Sequence, residues 1–306
     1  MEQAGSDVDR YSALVVLAAV CWGLSGGLGG LLMADGWDPY VLALYRGGTG
    51  LLCMLIWFGL KPDFRDFGQL RLWYWSALAG LGVAGNFTFY FLSISEGSVA
   101  VAATLMYCAP VFVFLVSFLL GLERVTVIKA GAIGLVILGI VLLTGVYKPG
   151  ERSITTVGVV AGLLAGLSYA VFIFGFKYAS RRGRPGSVLV IAFAVLVVAV
   201  SAFVDRGQAV SALSSSALPL FIALGLLGAG VSFVMYVIGL NHTAPAVASV
   251  VAMVEPVTAS LFGVLVLGES LVAIQLTGMA IILLTVTSLS VHSGKARHGV
   301  DVEDAR

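Results

Sequence analysis

Runs of about 20 apolar residues, the length of helix that crosses a bilayer core of about 30 Å, recur along the whole chain and set its solvent before anything else. Ten are read, at roughly 11–33, 39–59, 72–95, 98–121, 126–147, 155–179, 186–204, 216–240, 245–268 and 271–291. Stretches such as 188–200 are apolar on every face, whereas barrel strands would alternate apolar and polar residues, so the spans are helices. Composition agrees. The chain of 306 residues is 59% apolar and 11% charged, where soluble domains carry about 25% charge. A net charge of +1 offers no surface for nucleic acid, and Cys21, Cys53 and Cys108 lie inside apolar runs rather than in a disulfide or metal-binding framework.

Orientation follows from Lys and Arg, which accumulate on the cytoplasmic side of membrane proteins. With ten spans, the side holding both termini carries 13 (Arg10, Lys61, Arg65, Arg71, Arg124, Lys129, Lys177, Arg181, Arg182, Arg184, Lys295, Arg297 and Arg306), against 3 opposite (Lys148, Arg152 and Arg206). Both termini are therefore expected in the cytoplasm. The first run follows Glu2, Asp7, Asp9 and Arg10 and is long enough to span, so it reads as a transmembrane helix rather than a cleaved signal.

A shift of 146 residues carries Pro110 onto Pro256, Glu123 onto Glu269, Tyr90 onto Tyr236, Phe87 onto Phe233, Gly82 onto Gly228, and 100–102 onto 246–248. Proline, tyrosine and glutamate are scarce in such spans, and their common register points to duplication. Five helices per copy is odd, so the second copy enters from the opposite face. The expected fold is an all-α integral membrane protein with ten transmembrane helices as two inverted five-helix repeats. Its parts are a cytoplasmic segment 1–10, a first repeat 11–147, a periplasmic linker 148–154, a second repeat 155–291 and a cytoplasmic tail 292–306.

Only two of eight prolines, Pro110 and Pro256, are expected mid-span, where each removes a backbone hydrogen bond; they are candidate hinges, or simply the origin of fixed curvature. Glycines spaced by four, as at Gly158, Gly162 and Gly166, mark faces of close helix packing. An ionisable side chain inside a span costs about 2.5–3.5 kcal/mol on insertion scales, and two stand out. Glu255, beside Pro256, could take a substrate ammonium or a coupling proton, or partner Arg46; Arg46 could receive a carboxylate, snorkel, or form an ion pair. Trp22, Asn86, Tyr90, Tyr107, Tyr169 and Tyr236 are candidate cavity-lining groups, with aromatic packing between helices as the alternative. No nucleophile motif, phosphate loop or metal-ligand spacing is present, so neither catalytic residues nor metal or cofactor is expected.

Cys21-Trp22-Gly23, Tyr45-Arg46, Pro110 with Glu123, Glu255-Pro256, Gly268-Glu269 and Gln275-x-x-Gly278, in this order along ten spans, resemble the drug/metabolite transporter superfamily of EamA type. Lys129 and Ala132 depart from the Gln-x-x-Gly pattern in the first copy. The resemblance implies a bacterial inner-membrane exporter of small metabolites, most like the exporters of aromatic and other amino acids, with the lipid bilayer, a small-molecule substrate and a candidate coupling proton as its partners. Another metabolite or drug class, and a channel or structural subunit, stay open.

Overall fold

Lipid offers no hydrogen bonds to a backbone, so a chain within it must satisfy its own N–H and C=O groups. Helix is accordingly the regular structure found throughout the described residues, which in this computed structural model are 2–60, 64–119, 126–144, 154–240 and 254–303. The α-helices are α1 (Glu2–Ala34), α2 (Pro39–Leu60), α3 (Leu70–Ser95), α4 (Val99–Met106), α5 (Ala109–Leu119), α6 (Val127–Thr144), α7 (Thr156–Ala179), α8 (Pro185–Ser201), α9 (Arg206–Ser214), α10 (Leu218–Gly225), α11 (Val231–Leu240), α12 (Val254–Val266) and α13 (Ala273–Glu303).

Five uninterrupted spans are long and apolar enough to cross a membrane: 13–34, 39–60, 70–95, 156–179 and 218–236. Helices α8 and α9, bent by 114° between them, pass the same test only when taken together, as a broken span or a re-entrant loop. The other apolar helices are shorter, at 99–113, 130–144, 254–266 and 273–288. Expected span boundaries shift for two reasons. Hydropathy marks where lipid begins, not where a helix begins, so α1 starts at Glu2 and α13 runs on to Glu303. Proline marks where a helix fails: α4 ends at Met106, Tyr107 and Cys108 form a turn, and α5 restarts just before Pro110, which has no N–H to continue the ladder. In the second repeat α12 is described from Val254 and runs through Pro256 to Val266. The expected part of that span before Val254, like Glu123 and most of the linker 148–154, lies outside the described residues.

Helix α9 was not expected, since 205–215 reads as a loop. Its signal is a cap: the Asp205 carboxylate accepts the Gly207 and Gln208 N–H groups at 2.7 and 3.1 Å. The helix lies over the start of α2, where the Gln208 side chain accepts the Asp38 N–H and the Tyr45 hydroxyl donates to the Ala209 carbonyl.

The helices interleave. Helix α1 packs against α11 and α12, while α7, which stands 146 residues further on, packs against α3, α4 and α5. Helix α2 meets α8, and α6 meets α13. Glycine makes this possible: a Cβ on Gly82 would stand 2.6 Å from the Phe172 backbone nitrogen, and one on Gly166 2.9 Å from the Met106 carbonyl. Outside, large apolar side chains such as Ile56, Val198, Leu265 and Leu284 are exposed, and so broad an apolar exterior needs lipid. The molecule is a multi-pass membrane protein.

Candidate functional site

Seven of the polar and aromatic residues singled out in the sequence, carried by six different helices, come together around one cavity of about 450 Å³. They are Trp22 of α1, Arg46 of α2, Asn86 and Tyr90 of α3, Tyr169 of α7, Tyr236 of α11 and Glu255 of α12. Tyr107, in the turn between α4 and α5, is not a wall residue but reaches the site through Glu255, donating its hydroxyl to Oε2 at 2.7 Å. This bond joins the broken helix of the first repeat to α12 in the second. Pro256 is buried and is not among the wall residues. The Pro110 side chain lies outside those described.

Arg46 is held from two directions. Its Nε donates to the Gly228 carbonyl at 3.1 Å, across 182 residues of sequence. That carbonyl belongs to a π-helical turn, Leu226–Gly230, inserted between α10 and α11; such turns widen a helix and are frequent at functional sites. A side chain here would displace Arg46, because a Gly228 Cβ would stand 2.5 Å from Arg46 Nε and 2.9 Å from Ser25 Oγ. The guanidinium stacks on Phe87, its Cζ 3.9 Å from the ring centroid. Arg46 and Glu255 are both about 95% buried, at 5% and 4% exposure, yet they form no ion pair with each other.

The Trp22 Nε1 and the Tyr90 hydroxyl are buried at the same walls without a hydrogen-bond partner among the described residues. Asn86 is satisfied, its side chain donating to the Ala165 carbonyl of α7 at 3.1 Å, so it ties α3 to α7. Aromatic rings make up much of the remaining wall. Trp22 sits 5.0 Å from Tyr236 and 5.3 Å from Phe233, and Tyr169 sits 4.4 Å from Phe172. Phe87, Phe172, Phe176 and Phe233 are wall residues that were not singled out as such in the sequence. A signal for two of them was there, since Phe87 and Phe233 correspond under the 146-residue shift. Phe172 and Phe176 offered none, because phenylalanine in a span is ordinarily core or lipid-facing.

The cavity extends to Lys177, Ser180 and Pro185, at the end of the bundle rich in Lys and Arg. Where α12 meets α4, the Glu269 carboxylate accepts the backbone N–H groups of Val99 and Ala100 at 2.6 and 3.3 Å, satisfying two donors of the first turn of α4. Burial raises the Glu269 carboxyl above its usual range, opposed by these two hydrogen bonds. The Thr155 hydroxyl donates to Glu96 at 2.7 Å and Thr155 caps α7 through the Gly158 N–H.

The profile of the EamA-like transporter family matches twice, over residues 10–145 and 156–291, which start 146 residues apart. The chain belongs to the EamA-like transporter family. It is 31% identical over 289 residues to an uncharacterized transporter of Archaeoglobus fulgidus, covering 90% of this chain and 94% of that one. It is 29% identical over 273 residues to the uncharacterized inner membrane transporter YedA of Escherichia coli, covering 82% and 81%. It is also 27% identical over 251 residues to the threonine/homoserine exporter RhtA of Salmonella typhimurium, covering 80% and 79%. A solved crystal structure shares the fold with a TM-score of 0.58 at 18% identity, over 96% of this chain and 98% of that one.

Proposed function

We propose that the protein is an alternating-access carrier that exports amino acids, aromatic ones included, across a bacterial inner membrane. In this reading the chain crosses the bilayer ten times as two inverted five-helix repeats, both termini are cytoplasmic, and the cavity lies near the midplane between the repeats. Pro110, beside the break between α4 and α5, and Pro256, in α12, are the joints about which the repeats rock. The observation that carries the reading is a cavity in which a buried carboxylate held by Tyr107 faces aromatic walls supplied by both repeats. An aromatic wall suits an apolar side chain, and Glu255 supplies a charge-assisted acceptor for an ammonium. The exporter name carried by a relative that matches four-fifths of the chain supports the direction and the cargo class. Because the cavity extends to the Lys/Arg-rich end, the conformation described is the inward-open state in this reading.

Counterflow in proteoliposomes tests it. Liposomes loaded with unlabelled phenylalanine are expected to take up labelled phenylalanine saturably, and an imposed pH gradient is expected to change the rate. Glu255→Gln should lower counterflow by about tenfold or more, as befits a lost charge-assisted hydrogen bond of about 1.5–3 kcal/mol, and should abolish the pH response. Wild-type rates at every pH in that variant would remove Glu255 from coupling. No counterflow across an amino-acid panel, from folded protein, would sink the cargo assignment.

A further inference from the structure

Resting on the carrier reading above, the geometry points to a second half of the same site: we propose that Arg46, with Trp22 Nε1 and the Tyr90 hydroxyl, is the seat of the substrate carboxylate, so that the cavity selects solutes bearing both a carboxylate and an ammonium. A buried guanidinium carries five N–H donors, and here one is occupied by the Gly228 carbonyl. The stack on Phe87 fixes the plane of the group but takes none of the others. Leaving a desolvated cation without an anion is costly, and Glu255, though it borders the same cavity, does not supply the contact. Two more buried donors lack acceptors, the indole N–H of Trp22 and the hydroxyl of Tyr90. Buried polar atoms are nearly always hydrogen-bonded, so two buried donors unmet among the described residues, at the walls that also hold a guanidinium, call for an acceptor that arrives from outside.

The three are neighbours along two turns of α1. The Tyr90 hydroxyl lies against Gly26, where a Cβ would stand 2.3 Å from its oxygen. Ser25 and the Arg46 Nε flank the same vacant Cβ position at Gly228. Trp22 is one turn earlier, its carbonyl accepting the Ser25 hydroxyl at 2.9 Å. Gly23, next along, packs against the backbone carbonyl of Glu255, where a Cβ would stand 2.7 Å away. Donors for a carboxylate thus border one short stretch of α1, and the backbone of Glu255, whose carboxylate is the acceptor for an ammonium in the same cavity, packs on that stretch too. A zwitterion completes both halves and neutralises both buried charges at once; an amine or a lone carboxylate leaves one charge unmet. Guanidinium recognition of a carboxylate is two-pronged and planar, which a lysine would not reproduce.

The test is competition against labelled phenylalanine counterflow by unlabelled phenylalanine, its carboxyl-amide, and the decarboxylated amine 2-phenylethylamine. In the wild type the amide and the amine are expected to compete at least about tenfold more weakly than phenylalanine. In Arg46→Gln, and more mildly in Trp22→Phe and Tyr90→Phe, the phenylalanine advantage should shrink while the weak competition by the amine stays as it was. The two shape-conserving variants keep the test usable should Arg46→Gln fail to fold. An amine that competes as well as phenylalanine in the wild type overturns the carboxylate seat and leaves the carrier reading standing. Equal loss of phenylalanine and amine binding in all three variants also overturns it, assigning these residues to the scaffold. If phenylalanine is not carried, the labelled probe becomes whichever panel solute shows counterflow. A carried solute without a carboxylate then refutes the seat, and absence of all counterflow refutes the carrier reading with it.

Discussion

A single missing methyl group does different work at the two copies of one position. Gly82 and Gly228 correspond under the 146-residue shift, but Gly82 lets the α3 backbone approach the Phe172 backbone, while Gly228 leaves room for the Arg46 side chain. Gly82→Ala is expected to destabilise the protein by about 1–3 kcal/mol, because backbone cannot step aside, and thermal unfolding in detergent checks it. Gly228→Ala should act mainly on transport: the Arg46 guanidinium is pushed from its carbonyl, counterflow falls several-fold, and the unfolding temperature drops less than in Gly82→Ala. An equal drop in both would count against a special role for Gly228. At this scale the sequence was partly legible. Glu255 and Arg46 stood out because charge in a span is costly, whereas the asymmetry between the two glycines was hidden, since it depends on the helix that each one faces.

Helix ends decide how the elements are joined. Glu269 sits just beyond the C-terminus of α12 and satisfies two N–H groups at the start of α4, tying the two repeats together. Glu269→Ala is expected to cost about 0.5–2 kcal/mol, the scale of a lost N-cap, and to speed hydrogen exchange at Val99 and Ala100 before any other backbone amides. Exchange rates unchanged there would show that water replaces the carboxylate at no cost. Proline and hydropathy forecast most elements but not their interruptions. The turn at Tyr107 and Cys108 falls before Pro110 because the proline cannot donate back along the chain. The π turn at 226–230 has no comparable signature, since glycines there are as readily explained by close packing. Helix α9 escaped because a short, weakly apolar segment reads as loop, although its Asp205 cap was in plain view.

The whole molecule is a bundle whose cavity reaches Lys177, Ser180 and Pro185 at one end, and its orientation in the membrane is open to direct measurement. With Cys21, Cys53 and Cys108 replaced, a cysteine at Ser180 is expected to react with a membrane-impermeant thiol reagent in inside-out vesicles and not in right-side-out ones. Reaction only from the opposite face would reverse the proposed topology and the inward-open assignment together. Composition and order alone determined that the solvent is lipid, that the chain is helical and that it is duplicated at an interval of 146 residues. These properties are local or additive: transfer of a span into lipid is a sum over its residues, and duplication preserves register. Which polar groups meet was decided only by the tertiary structure. Arg46 finds its acceptor 182 residues away and Tyr107 finds Glu255 across 148, and both encounters depend on how deeply and at what rotation each helix is seated. Those variables are fixed by backbone contacts at glycines on neighbouring helices, a pairwise property of the packed bundle that no single span carries in its own residues.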